Sequence, residues 1–189
     1  MDKLLRKPYT FLYRGVVPPM LRAAVNLYGV EELAGLDDNP VILGWAHEVA
    51  ATDNVGGWLK EFYTEDEIPW CGLFAAVCAV RAGSRAFNKC LAAREWMHWG
   101  QDVEDDDVGL GDVLVFWRGN PAGKSGHVGF YVGESPDGDF YHVLGGNQGD
   151  EVSIVKIPSY RLLGARRQPG ERGHGRRVIE GGKVTEGEG

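Results

Sequence analysis

Ile68-Pro69-Trp70-Cys71-Gly72-Leu73-Phe74-Ala75-Ala76-Val77-Cys78-Ala79-Val80 reads as a buried helix with a cysteine at its start. Pro69 has a fixed φ that suits the opening of a helix. From Trp70 onward the run is apolar almost all round, the pattern of a helix inside a core. Cys71 then falls in the first turn, where backbone N–H groups lack intrahelical partners and the helix dipole is positive. Both features favour a thiolate, so a cysteine here has a physical reason to be a nucleophile.

A cysteine nucleophile needs a base to take its proton and a third group to orient that base. His127, in Ser125-Gly126-His127-Val128-Gly129, starts a strand after a flexible loop. Glycines on either side let another element approach closely. Asn147, in Gly145-Gly146-Asn147-Gln148-Gly149, can accept from one imidazole nitrogen and set the tautomer. Gln148 can bind substrate or cap the turn, and Trp70, beside the nucleophile, is a second substrate-binding candidate. His142 lies inside a strand and reads as structural. His47 and His98 read as surface or packing residues, and His174 as a tail residue without a catalytic role. The backbone N–H of Cys71 is a natural oxyanion donor.

Working outward, helical spacing covers Met20 to Tyr28 and Val41 to Ala51, the second opened by Asn39 as cap and Pro40 in first position. Trp58 to Thr64 reads as a short helix or turn, and Lys89 to Trp99 as an amphipathic helix. The period then changes. Asp112–Trp117, His127–Val132, Asp139–Leu144 and Glu151–Ile157 are strand-like runs, with a hairpin turn at Ser135-Pro136-Asp137-Gly138. Helices followed by strands predict an α+β fold, with N-terminal helices packed on a mostly antiparallel sheet of about four to six strands. Residues 1–19 are expected to be an arm, 20–167 the domain, and 168–189 a mobile tail rich in glycine and charge.

The chain has 189 residues, 43% hydrophobic and 25% charged, enough for one domain with a proper core. Its net charge of −7 and the lack of a basic stripe argue against nucleic acid as a partner. No stretch approaches the roughly 20 apolar residues of a membrane span. The N-terminus lacks a signal-peptide pattern, so action outside the cytoplasm would need release or delivery. Three cysteines are an odd number, and Cys71 and Cys78 are about 10 Å apart along one helix, so free thiols are expected. No zinc-ligand spacing is present, the acidic run Glu104–Asp107 reads as a solvated loop, and no metal or cofactor is expected.

Taken in order, Asn39-Pro40, Pro69-Trp70-Cys71, Gly111-Asp112, Gly126-His127-Val128-Gly129 and Gly145-Gly146-Asn147-Gln148 resemble the CHAP and NlpC-type superfamily of cysteine peptidoglycan hydrolases. The resemblance spans about residues 22 to 165. It implies a papain-like fold and amide hydrolysis in the peptide stem of peptidoglycan, with Cys71 as nucleophile, His127 as base and Asn147 as orienting group. NlpC-type members carry aspartate before the cysteine. Trp70 stands there in this chain, which points to the CHAP side. The expected protein is a monomeric amidase or endopeptidase, either a holin-assisted phage lysin or a wall-remodelling enzyme. The alternatives are an effector toxin of the same fold with an immunity partner, and a non-catalytic wall-binding or virion structural domain.

Overall fold

The computed structural model describes residues 4–33 and 38–183. The first residues of the arm, the stretch 34–37 with Asp37 of the helix-start motif, and the final residues 184–189 of the tail lie outside the described residues. Four α-helices come first: α1 (Pro19–Val25), α2 (Pro40–Ala50), α3 (Trp58–Phe62) and α4 (Cys71–Arg81). Six strands follow: β1 (Gln101–Val103), β2 (Val113–Trp117), β3 (Gly126–Glu134), β4 (Phe140–Gly145), β5 (Ser153–Pro158) and β6 (Leu162–Arg167). They form one antiparallel sheet in the order β1-β6-β2-β3-β4-β5. The fold is the α+β arrangement that the switch of period predicts.

Helix α4 is the centre of the packing. Every residue from Cys71 to Ala79 is buried, because α1 and α2 cover one side of it and β3 and β4 the other. This explains a helix that is apolar all round. Asn39 caps α2 by accepting the N–H of Val41 at 2.8 Å, with Pro40 next to it. In the sheet, β2 alternates as a two-sided strand should. Val113 and Val115 join the core under the helices, while Leu114 and Phe116 join a second cluster with Tyr131, Tyr141, Val143 and Ile157.

Residues 89–99 are not an α-helix. They form a turn and then a 3-10 helix, Ala93–His98. Tertiary packing overrides propensity here. The backbone at Cys90 and Leu91 lies so close to α4 that a Cβ on Gly72 would collide with both carbonyls. Trp96 donates its ring N–H to the Cys90 carbonyl at 2.9 Å, and it packs edge-on to Phe87 and tilted against Trp99, each with centroids 5.2 Å apart.

The arm and the tail are both laid against the domain. Leu5 and Leu12 are buried. From the tail, Ile179 is buried against Gly133, where any side chain would meet it. Backbone bonds pin the tail: Leu110 N–H to Gly175 O (3.0 Å), Glu134 N–H to Arg177 O (2.8 Å), Ile179 N–H to Glu134 O (2.8 Å) and Lys156 N–H to Lys183 O (2.8 Å). The composition of 168–183 suggests a mobile segment. One anchoring isoleucine and unused backbone groups at the sheet end hold it in place instead.

Candidate active site

Three pieces of chain meet at the start of α4: the strand opening at His127, the loop 145–148, and the segment 29–32. Gly146 makes the first approach possible, because a Cβ there would sit 2.6 Å from the Trp70 ring and from Phe74 Cβ. The segment Gly29–Glu32 runs antiparallel to Asp150–Val152. Its bonds are Gly29 N–H to Val152 O (2.9 Å), Val152 N–H to Val30 O (2.7 Å) and Glu32 N–H to Asp150 O (2.8 Å).

Cys71 is the first residue of α4 and is 6% exposed. Burial raises its thiol pKa above the usual range. Hydrogen bonds from the backbone N–H groups of Val128, Gly72 and Cys71 itself, together with the charge of Arg118, oppose that shift. The thiol is therefore next to Val128, the residue after His127. Cys78 and Cys90 are also free and buried. Burial drives the Cys78 thiol well above its usual value and the Cys90 thiol up to about 12, so both behave as small apolar residues.

His127 is buried, and its Nε2 lies 3.0 Å from Gln148 Oε1. The orientation of the Gln148 amide is decided by its other end. Its Nε2 donates to Ser153 O at 2.6 Å and to Val143 O at 3.3 Å. The oxygen is left facing the ring and must accept, so His127 Nε2 is the donor in this contact. Gly145 leaves room for this contact, since a Cβ there would be 2.7 Å from Gln148 Oε1 and 3.0 Å from His127 Nε2.

Of the residues named from sequence, Gln148 Oε1 lies against His127 Nε2, and the Cys71 thiol lies against the backbone of Val128. Asn147 is at a left-handed turn (φ 55°), and its buried Oδ1 has no hydrogen-bond partner. Gln148, expected to bind substrate, is the residue that contacts the imidazole. Trp70 has no exposed surface. Its ring packs on Trp45 with centroids 5.7 Å apart, and its N–H donates to Glu32 Oε1 at 2.6 Å. It supports the cysteine rather than lining a substrate surface. His142 is structural as expected. It is buried, and its Nδ1 lies 2.8 Å from the Tyr9 hydroxyl. Asp112 secures the turn before β2 by accepting Gly109 N–H at 2.8 Å, and it also holds Arg167 at 2.8 and 2.7 Å.

Sequence reasoning missed Glu32 and Asp66. Burial raises the pKa of the Glu32 carboxyl. The hydrogen bond from Trp70 lowers it, and Asp150, Asp66 and Glu67 add repulsion that raises it. Asp66 is fully buried, and its Oδ2 accepts the N–H of Asn39 (2.8 Å) and Leu33 (3.2 Å). The clue available in the sequence was an acidic pair, Asp66-Glu67, five and four residues before Cys71. No helix among the described residues is long and apolar enough to cross a membrane.

No family model matches this chain, and no curated protein matches it. Among solved structures, it is similar to an NlpC/P60 family protein from Bacillus cereus ATCC 10987 at 21% identity with a TM-score of 0.40. The likeness covers 51% of this chain and 30% of that one, so the chain spans less than a third of that protein's length.

Proposed function

We propose that this chain is a cysteine hydrolase that cleaves an amide bond in the peptide part of the bacterial cell wall. One observation carries the reading. A cysteine at the first position of a core helix has its thiol against the backbone of the histidine-bearing strand, and that histidine is held in one tautomer by Gln148. The choice of peptidoglycan as substrate rests on the resemblance in the ordered sequence motifs.

In the proposed reaction His127 Nδ1 takes the thiol proton, and the sulfur attacks the amide carbonyl carbon. The pair of electrons displaced onto oxygen is met by backbone N–H groups at the α4 start. The C–N bond breaks as the imidazolium returns its proton to the leaving amine. Water, deprotonated by the same nitrogen, then attacks the thioester, and the carboxylate product leaves as the thiol is restored. Gln148, not Asn147, orients the ring in this scheme. The enzyme works on the wall after release or delivery, as a lysin, a remodelling enzyme or an effector. All three would use the same chemistry.

The test is digestion of purified cell walls, with mass spectrometry of the released muropeptides. The parent protein should release fragments with one new amine and one new carboxyl terminus. Cys71→Ala should lower the rate by about 10⁴-fold or more. Equal clearing by Cys71→Ala would sink the mechanism.

A further inference from the structure

Arm and tail meet at the end of the β2–β3 pair away from His127. Leu110 comes just before β2, whose first residue Val113 pairs with Phe130, whereas His127 pairs with Phe116 near the other end of β2. Here the 3-10 helix Tyr9–Tyr13 and the residues after it, the tail at Arg177, and Leu110 line a cleft of about 480 Å³. That volume is in the usual range of small-ligand sites. Part of the lining is apolar: Phe11, Val16, Val17 and Leu110. The rest includes two arginines, Arg14 from the arm and Arg177 from the tail. No acidic residue lines the cleft among the described residues.

We propose that this cleft binds the C-terminal end of a peptide, with its carboxylate on Arg14 and Arg177 and its last side chain on the apolar lining. Charge complementarity is the first argument. Other arginines are matched within the fold: Arg81 by Glu48, Arg167 by Asp112 and Arg176 by Glu134. Arg14 and Arg177 have no carboxylate partner among the described residues, in a chain whose net charge is −7. Two unmatched guanidinium forks on one cleft suit a carboxylate in charge and in shape.

The second argument is that the cleft is built before any ligand arrives. The Arg177 N–H donates to the Tyr131 hydroxyl at 3.3 Å, its carbonyl accepts the Glu134 N–H at 2.8 Å, and its guanidinium lies 4.0 Å from the centre of the Phe11 ring. On the arm, the Arg14 N–H donates to the Phe11 carbonyl at 3.1 Å, and the Arg22 guanidinium holds the Gly15 carbonyl at 2.9 Å. Less order has to be imposed on binding when the backbone is already fixed. A cleft of this size has room for more than a bare phosphate, and its apolar residues call for a side chain. Thr10, also in the lining, offers a hydroxyl to the peptide group beside the carboxylate, which an acyl chain would leave unmatched.

The cleft is separate from the proposed catalytic centre, and its test needs no cleavage. Isothermal titration of the full chain uses N-acetyl-alanyl-leucine as the free acid, the same dipeptide as its C-terminal amide, octanoate, and inorganic phosphate. The free acid should bind saturably, about tenfold or more tighter than the other three. Arg14→Gln and Arg177→Gln should each weaken it about tenfold with little change in Tm, since both side chains are exposed. Val16→Asp, at a position 85% exposed, adds a negative charge to the lining while leaving both arginines in place, and it should weaken the free acid as well. No saturable binding of the free acid, equal binding of acid and amide, or unchanged affinity in any of the three variants would overturn the proposal. Octanoate binding as tightly as the free acid would assign the cleft to acyl chains instead, and phosphate doing so would reduce it to an anion site.

Discussion

Among the described residues, two carboxylates are buried almost completely, Asp112 and Asp66, and their surroundings are opposite in kind. Asp112 receives both arms of the Arg167 guanidinium and the Gly109 N–H, so both oxygens are matched by donors, one of them a full positive charge. Asp66 has donors on one oxygen only, and carboxylate oxygens of Asp38 and Glu67 lie within 4.8 Å of it. The first arrangement is a structural clamp, joining the turn before β2 to the end of β6, its neighbour in the sheet. The second gathers like charge in the loop that leads into Cys71. Burial alone does not say what a carboxylate does; the partners do. The same contrast recurs on a smaller scale at residues 147 and 148, where Gln148 has every polar atom matched and Asn147 leaves its oxygen alone.

The comparison can be broken most forcefully at Asp112. Asp112→Ala leaves the buried side of Arg167 without its counter-charge and should cost about 3–5 kcal/mol, read as a lower urea midpoint at unchanged slope. A cost below about 1 kcal/mol would mean the clamp is not structural.

The next largest effect separates the two amides. Gln148→Leu releases the His127 ring and should lower kcat about 10²-fold with KM little changed, while the melting temperature stays within a few degrees. Asn147→Gly preserves the left-handed backbone and should leave activity within about threefold. If the two results were exchanged, Asn147 would be the orienting residue.

A smaller effect is expected at Asp66 itself. Asp66→Asn keeps an oxygen for the two backbone N–H groups and removes one of three like charges. Its cost should be about 1 kcal/mol or less, within the range for a hydrogen bond retained without its charge. A loss as large as that of Asp112→Ala would show that Asp66 belongs to the fold in the same way.

The gentlest probe is acid. Burial, and then the charge of Lys156, lower the pKa of His142 to about 4. Its folded-state pKa is below the unfolded value near 6.5, so the neutral ring contributes stability that is complete above pH 6.5. That contribution is lost as pH falls towards 4. The ring also faces the Tyr9 hydroxyl and Gly182, so this loss should loosen the arm and the tail first. The Tm of the parent should fall more steeply between pH 6.5 and 4 than that of His142→Gln. Parallel slopes would assign the acid sensitivity elsewhere.

Much of the fold could be read in the chain because local pattern and tertiary role coincide. α4 is apolar all round and is buried all round. The four strand-like runs carry enough Val, Phe, Tyr and Ile to announce themselves, and Asn39-Pro40 begins α2 by its own chemistry. β1 and β6 could not be read in the same way. β1 has only three residues, and β6, Leu162–Arg167, has no clean alternation; it is a strand because β1 and β2 pair with it on either side. Residues 89–99 had helical spacing, but the close approach to Gly72 and the ring contacts and hydrogen bond of Trp96 decided otherwise.

The sequence alone determined that Cys71 starts a core helix and that His127 starts a strand, because Pro69, the apolar run and the flanking glycines act within a few residues of themselves. Only the tertiary structure decided which neighbour steadies the histidine and which carboxylates stand together. Those are contacts between side chains far apart in the chain, and they depend on distances of a few ångströms. Asn147 and Gln148 are one residue apart and chemically alike, and the turn directs only Gln148 Oε1 at the ring. Asp38 and Asp66 are 28 positions apart, and nothing in either stretch announces the other until the two loops are locked together ahead of Cys71.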